Sequence, residues 1–151
     1  MEVLLSLVTV ALDQMTKLYI IKHLSPGASL PVVEGLFYLT YVENRGSAFG
    51  LFPDHTKALI LITLLIIVFF VIYLRDFTRK SNLVRVGLPL GIGGAIGNLI
   101  DRVRMGYVVD FLDMRILPIF NLADIAIVTG ALLIFIGAAL YEWERGVEEE
   151  E

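Results

Sequence analysis

Residues that could do acid–base chemistry concentrate in one stretch of the chain, residues 93–124. This stretch contains four aspartates, three arginines and two asparagines. Two of the aspartates, Asp110 and Asp124, lie within or beside apolar segments, where carboxyl groups resist ionisation. Two carboxyl groups that share such a site hold one proton between them, so they can deprotonate a water and protonate a leaving amine. Asp110 and Asp124 are therefore candidates for a catalytic pair.

The polar neighbours of these two acids allow more than one interpretation. Asn98, Asn121 and Arg102 could orient a peptide substrate, or they could hold the two acids in place. Alternatively, the acids pair with Arg102, Arg104 and Arg115 and do no more than fasten a loop. The spacing of the residues leaves these possibilities open.

The composition of the chain is typical of a membrane protein. Of its 151 residues 57% are hydrophobic, the mean hydropathy is +0.78, and the apolar residues form long runs. The length predicts one domain, residues 1–151, and the net charge of −4 gives no support for nucleic-acid binding. There is no cysteine, and His23 and His55 lie outside any metal-ligand spacing, so neither a metal nor another cofactor is expected.

Four apolar runs are predicted to span the membrane, because about 20 residues cross its hydrocarbon core. They cover about residues 3–24, 58–74, 83–100 and 122–143. The third run is the weakest, since it contains Pro89 and five glycines. The pairs Gly87/Gly91 and Gly93/Gly97 are each four residues apart, a spacing of small residues that lets helices approach closely in lipid.

The segment 25–57 is too polar and too interrupted to span. Its short runs of β-branched and aromatic residues are separated by the turn sequences Pro26-Gly27, Glu34-Gly35 and Asn44-Arg45-Gly46. This pattern predicts short strands joined by turns. The predicted fold class is a mainly α membrane protein, with four transmembrane helices and a small β-containing extracytoplasmic region.

Four spans would place both termini on one side of the membrane, and the polar segments 25–57 and 101–121 on the other. Asp124, at the beginning of the fourth run, would lie on the side of these segments. The short loop after the second run carries Arg75, Arg79 and Lys80, and Arg85 follows closely at the start of the third run. Basic loops favour the cytoplasm, so the two candidate acids are expected to face the extracytoplasmic side.

A possible ion pair lies within the first apolar run. Asp13 and Lys17 are four residues apart, so they share a helix face and can pair. Such a pair is costly inside a membrane unless it faces protein or water. It could belong to a functional site, or it could lock this helix to its neighbours.

Five short blocks occur in order along nearly the whole chain. They are Asp13-Gln-Met-Thr-Lys17, Asn44-Arg-Gly-Ser-Ala-Phe-Gly50, Gly93-Gly-Ala-Ile-Gly-Asn-Leu-Ile-Asp-Arg102, Val108-Val-Asp-Phe111 and Phe120-Asn-Leu-Ala-Asp124. With these blocks the sequence resembles the lipoprotein signal peptidase family, also called signal peptidase II. The resemblance implies an intramembrane aspartyl endopeptidase of the bacterial inner membrane, with its site on the extracytoplasmic side.

The resemblance also implies a substrate and residue roles. Members of this family cut prolipoproteins before a diacylglyceryl-modified cysteine, so the expected partners are this lipidated substrate and membrane lipid. The chain itself is expected to be a monomer. The catalytic aspartates of the family correspond to Asp110 and Asp124. The residues expected to bind substrate are Asn44, Gly46, Asn98, Arg102 and Asn121. The residues expected to support the structure are Asp13, Lys17 and Asp101.

The loop 44–50 could hold the substrate peptide. Gly46, Ser47 and Ala48 are small, and small residues let a peptide approach the backbone closely.

Two functions of other classes remain open at this point. A small transporter or channel subunit would use the intramembrane acids to carry a cation or a proton, and it would show ion flux without proteolysis. A scaffold held together by Asp–Arg pairs would unfold when its acids are changed to asparagine.

Overall fold

The computed structural model of the protein describes residues 2–46, 56–74, 78 and 81–150. Its elements in chain order are α1 (Glu2–His23), β1 (Ser29–Val33), β2 (Phe37–Asn44), α2 (Thr56–Leu74), α3 (Asn82–Met105), β3 (Val108–Asp113) and α4 (Leu122–Glu150). The four helices coincide with the four predicted apolar runs, so the prediction of a mainly helical membrane-type fold is confirmed.

Three of the helices are long and apolar enough to cross a membrane: Glu2–His23, Asn82–Met105 and the part of α4 over Leu122–Val147. The fourth, α2, is apolar over the shorter range Thr56–Ile72. Helix α3 continues past the apolar run, through Asp101 and Arg102, and ends where Gly106 adopts φ 81°. This left-handed conformation is typical of glycine after a helix, and the Gly106 N–H donates to the carbonyl oxygen of Arg102.

Helix α3 lies at the centre of the helical part of the molecule. It packs most extensively against α4 and then against α1, whereas its contact with α2 is smaller. Its glycines make the close packing possible. A Cβ atom at Gly87 would lie 2.7 Å from the carbonyl oxygen of Gly130, and one at Gly93 would lie 2.8 Å from Cβ of Thr9. The prediction of close helix approach is confirmed for Gly87, Gly93 and Gly97, whereas a Cβ atom at Gly91 would have no neighbour within 4 Å.

The three strands form one antiparallel sheet in the order β1-β2-β3. Strands β1 and β2 confirm the prediction for the segment 25–57, but β3 lies in a segment that was expected to be only a polar loop. In the β2–β3 register Val42 lies opposite Asp110 and Asn44 opposite Val108. Asn44 is therefore a diagonal neighbour of Asp110 across the two strands, within reach of its side chain.

A small apolar core fixes the sheet to the helices. Its buried members are Ile20 from α1, Tyr41 from β2, and Val109 and Phe111 from β3. Beyond β3, the chain turns back so that the N–H groups of Phe111 and Leu112 donate to the carbonyl oxygen of Phe120. This bridge places residue 121, immediately before α4, beside the strand that carries Asp110.

Candidate active site

Asp124 is part of a reciprocal hydrogen-bonded turn that begins α4. The Asp124 N–H donates to Oδ1 of Asn121 at 3.0 Å, and the Asn121 N–H donates to Oδ2 of Asp124 at 3.2 Å. Asn121 is thus the N-cap of α4, and the two residues form a capping box with an asparagine and an aspartate. The spacing Asn-x-x-Asp in front of an apolar run is a local sequence signal that could have predicted this motif.

The other carboxylate oxygen of Asp124 accepts a hydrogen bond from a residue of α3. Asn98 Nδ2 donates to Oδ1 of Asp124 at 2.8 Å. The carbonyl oxygen of the same Asn98 amide accepts hydrogen bonds from Lys17 Nζ at 2.8 Å and from Asn121 Nδ2 at 3.1 Å. Both oxygens of Asp124 therefore accept hydrogen bonds from residues that the neighbouring elements hold in place.

Asp110 is held in the same way on the other side of the cluster. It is 2% exposed, and its Oδ1 accepts from Asn121 Nδ2 at 2.7 Å. Its Oδ2 accepts from Asn44 Nδ2 at 2.8 Å, and Asn44 Oδ1 in turn accepts from the Gly46 N–H at 3.0 Å. Asn121 therefore contacts both candidate acids, and one hydrogen-bonded cluster connects Asp110 with Asp124.

The surroundings of Asp110 change its acidity. Burial is the largest cause and raises the pKa of this carboxyl to about 7, and the charge of Asp124 acts in the same direction. The hydrogen bonds from Asn44 and Asn121 and the charge of Lys17 oppose the rise in pKa without cancelling it. A carboxyl group with a pKa near neutrality can both give and accept a proton at physiological pH.

The remaining predicted substrate-binding residues are placed differently. Arg102 is half-buried and close enough to interact electrostatically with Asp101, Asp110 and Asp124. Within the described ranges its guanidinium group forms no hydrogen bond or ion pair. Gly46 is buried at the turn after β2. The rest of the predicted peptide-holding loop, with Ser47 and Ala48, lies outside the described residues.

A buried ion cluster lies beneath the pair of acids. Lys17 Nζ is 2.9 Å from Asp13 Oδ2, as predicted, and also 2.8 Å from Asp101 Oδ2, a contact that sequence spacing did not predict. Asp13 Oδ1 accepts from the Ala123 N–H at 3.0 Å, and Asp101 Oδ2 accepts from the Val109 N–H at 3.2 Å. The cluster thus connects α1 and α3 to the first turn of α4 and to β3.

The loop-fastening interpretation applies to Asp113 rather than to the candidate pair. Asp113 accepts hydrogen bonds from Thr40 Oγ1 at 2.8 Å and from the Arg115 N–H at 2.9 Å, and Arg115 Nη1 lies 3.6 Å away. These contacts lower the pKa of Asp113, and the hydrogen bond from Thr40 has the largest effect. Among the residues that the structure describes, neither Asp110 nor Asp124 forms an ion pair with an arginine.

The hydrogen bond from Asn44 to Asp110 leads to a first prediction. Asn44→Gly removes a donor to Asp110, so we expect cleavage activity to fall roughly 10- to 100-fold, the effect of one hydrogen bond to a charged group. The melting temperature should fall only modestly, because Asn44 is the last residue of β2 and a glycine there weakens only the end of the strand. The measurement is the turnover of the purified variant together with its melting curve.

Thr40→Val provides the matched control for this prediction. Thr40 lies on the same strand and also donates to an aspartate of β3, but that aspartate is Asp113. Loss of the Thr40 hydroxyl should leave most of the cleavage activity. Full activity in Asn44→Gly would show that Asn44 serves the turn alone.

Known structures share this fold. A bacterial membrane enzyme solved by the in meso method superimposes with a TM-score of 0.88 at 32% sequence identity, covering 95% of this chain and 90% of that one. A second bacterial membrane enzyme superimposes with a TM-score of 0.81 at 33% identity. This second superposition covers 89% of this chain and 90% of the chain of that enzyme. The fold is therefore that of a bacterial membrane protein.

Sequence comparison narrows this class to one family. A family model for signal peptidase (SPase) II matches residues 5–140. The lipoprotein signal peptidase of Halothermothrix orenii is 48% identical over 139 residues, which cover 92% of each chain. That of Moorella thermoacetica is 46% identical over 145 residues, covering 96% of this chain and 97% of its own. The chain belongs to the signal peptidase II family.

Proposed function

We propose that this protein is an aspartyl endopeptidase that removes signal peptides from prolipoproteins, with Asp110 and Asp124 as its catalytic pair. Membership of the signal peptidase II family supports proteolysis, and the relatives named lipoprotein signal peptidase indicate the class of substrate. The observation that carries the catalytic type is the hydrogen-bonded cluster in which two carboxylates share Asn121 as a partner.

In the proposed mechanism the pair holds one proton, and Asp110 carries it because burial favours its neutral form. Asp124 carries the charge, which the N-terminus of α4 accommodates. Asp124 takes a proton from a water as the water oxygen bonds to the scissile carbonyl carbon, and Asp110 donates its proton to the carbonyl oxygen. The tetrahedral intermediate then collapses. Asp124 protonates the leaving nitrogen, the C–N bond breaks, and Asp110 regains its proton.

The asparagines divide into two groups in this proposal. Asn98 and Asn121 are 5% and 0% exposed and direct their amide N–H groups at the two acids. We therefore assign them to holding the acids rather than to binding the peptide, in contrast to the role that the sequence predicted. Arg102 has donors not used within the described structure and lies near both acids, which supports a role in binding the carbonyl groups of the substrate.

We also propose that the whole chain forms one membrane-embedded peptidase domain with four spans. The exposed surface of α2 is apolar, with Leu61, Leu65 and Ile72 exposed at 58%, 60% and 64%. Thr56 Oγ1, at the beginning of α2, donates to the carbonyl oxygen of Gly106 at the end of α3. This contact supports a fourth span, because the start of α2 then lies beside the end of α3.

In this arrangement the protein is a monomer of the bacterial inner membrane, in contact with membrane lipid and with its site on the extracytoplasmic side. A lipidated substrate would reach the site from within the bilayer, so that its acyl chains need not leave the lipid.

This arrangement predicts the labelling of two single-cysteine variants in sealed vesicles. Ser29→Cys on β1 and Asn82→Cys at the start of α3 are both exposed and lie at opposite ends of the helical bundle. The native chain has no cysteine, so it provides an unlabelled background. An impermeant thiol reagent should reach the two positions from opposite sides. Labelling of both from the same side would contradict the four-span arrangement.

The test of the function itself is cleavage of a lipidated prolipoprotein by the purified protein in lipid. The product should lose the mass of the signal peptide and begin at the lipidated cysteine, whereas the unlipidated precursor should remain uncut. The absence of product would refute the proposed function. The alternative of a small transporter or channel subunit has no support from the family or the named relatives.

A further inference from the structure

We propose that Lys17 is a positioning residue for the reaction: its ammonium group fixes the direction of the Asn98 amide, so that the amide donates a hydrogen bond to Asp124. This inference rests on the proposed catalytic pair. The contacts of Lys17 with Asp13 and Asp101 account only for a structural role. The inference adds a role for Lys17 in the reaction.

The direction of the Asn98 amide follows from what an ammonium group can do. Lysine has three donors and no acceptor, so the Asn98 atom 2.8 Å from Lys17 Nζ must be the carbonyl oxygen. The amide nitrogen then faces Oδ1 of Asp124 at 2.8 Å. The reversed amide would set a nitrogen donor against the ammonium group and an oxygen against the carboxylate, so both contacts would be repulsive.

The other two asparagines of the cluster are fixed by the same principle. The oxygen of Asn44 accepts from the Gly46 N–H, and the oxygen of Asn121 accepts from the Asp124 N–H, each at 3.0 Å. A backbone N–H, like an ammonium group, can only donate. All three amides are thus anchored at their oxygen and direct nitrogen at an acid. Only at Asn98 are the anchors side chains, Lys17 Nζ at 2.8 Å and the more distant Asn121 Nδ2 at 3.1 Å, and a substitution of Lys17 removes the shorter of these two contacts.

The position of Lys17 supports this role. Its side chain is 2% exposed, and Asp13, Asp101 and Asn98 each lie within hydrogen-bonding distance of the ammonium group. The two acids hold the cation in the protein interior, and the third contact connects it to the proposed catalytic pair. A purely structural ion cluster would need only the first two contacts.

Several charged groups surround this contact. Asp13 and Lys17 lie on α1, Asp101 and Arg102 on α3, Asp110 on β3 and Asp124 on α4. Removal of Lys17 alone would therefore change the local charge as well as the hydrogen bond. It would also leave two buried acids without their cation, which can prevent folding.

A double variant separates these effects. Lys17→Met/Asp101→Asn removes the ammonium group and one acid together, so the cluster of Lys17, Asp13 and Asp101 keeps its net charge of −1. Compared with the native protein, whose cluster has the same net charge, it should show a kcat lower by about tenfold or more with an unchanged KM, because a charge-assisted hydrogen bond at the pair is weakened.

Arg85→Gln is the matched control, since Arg85 forms another ion pair between α1 and α3, at 3.3 Å from Glu2. Its kcat and KM should equal those of the native protein. An unchanged kcat in the double variant, or a lower kcat accompanied by a raised KM, would overturn the inference. Failure of the proposed function is distinct from either result: the native protein would not cleave, or Asp124→Asn would still turn over.

Discussion

Asp110→Asn and Asp124→Asn are each expected to reduce cleavage of a lipidated prolipoprotein by several orders of magnitude while the protein remains folded. An amide can neither take a proton from water nor give one to the substrate, so each substitution removes one half of the proposed acid–base pair. Asparagine keeps the shape of aspartate and one acceptor oxygen. Its nitrogen would face an amide donor of the cluster, so a modest decrease in melting temperature should accompany the loss of activity.

Asp113→Asn is the internal control for these two variants. Asp113 lies on the same strand as Asp110 and is buried, but its contacts are to Thr40 and Arg115, away from the pair. It should retain most of the activity. Because the native contacts lower the pKa of Asp113, they stabilise the fold at neutral pH and lose this effect in acid as the pH falls through that lowered pKa. The variant should therefore melt slightly earlier than the native protein at neutral pH.

The three purified variants are compared by turnover, with and without a chelator. Substantial turnover by Asp110→Asn or Asp124→Asn would refute the proposed pair. A chelator should have no effect, because the described ranges contain no group of three or more histidine, cysteine or acidic side chains that could hold a metal ion. Inhibition by the chelator would instead indicate that the reaction depends on a metal.

The acidity of Asp110 adds a pH dependence to this prediction. Because its pKa is raised to about 7, the form of the pair that holds one proton is present below that value and is lost as the pH rises through it. The alkaline limb of kcat/KM, which reports the free enzyme, should therefore fall near pH 7. A kcat/KM that remains constant through pH 8 would contradict the assignment of the proton to Asp110.

The second large effect is expected at Gly94, where α3 meets the first turn of α4. A Cβ atom at this position would collide with the carbonyl oxygen of Ala123 and lie 3.0 Å from Ile127 Cγ1. Gly94→Ala should cost about 1–3 kcal/mol of stability, the usual effect of overpacking. It should also reduce turnover, because Ala123 lies between the N-cap Asn121 and Asp124. Gly94→Leu should have a larger effect in the same direction.

Gly91→Ala is the matched control on the same helix. A Cβ atom there has no neighbour within 4 Å, and alanine favours a helix over glycine by up to about 1 kcal/mol. Its melting temperature should equal or exceed that of the native protein. If Gly94→Ala melts as the native protein does, the close contact between Gly94 and α4 is not a determinant of stability.

The sequence alone determined the structural features that depend on residues close together in the chain. A long apolar run predicts a membrane helix because lipid offers no partner for backbone groups, so the four helices follow from local composition. The i,i+4 spacing of Asp13 and Lys17 predicts their contact because a helix brings such residues together. The turn at Asn121 and Asp124 is equally local and was predictable from Asn-x-x-Asp, although it was not predicted. The ordered blocks indicated the family, which the comparisons confirm.

Only the tertiary structure decided which groups meet across the chain. Lys17 and Asn98 are 81 residues apart, and Asn44 and Asp110 are 66 residues apart, so no helical or strand period relates them. Strand β3 lies in a segment that was expected to be a polar loop, yet pairing with β2 and burial of Val109 and Phe111 make it a strand. The same packing distinguishes Gly94 from Gly91. Sequence spacing determines contacts within an element, whereas the packing of one element against another determines which donor reaches which acid.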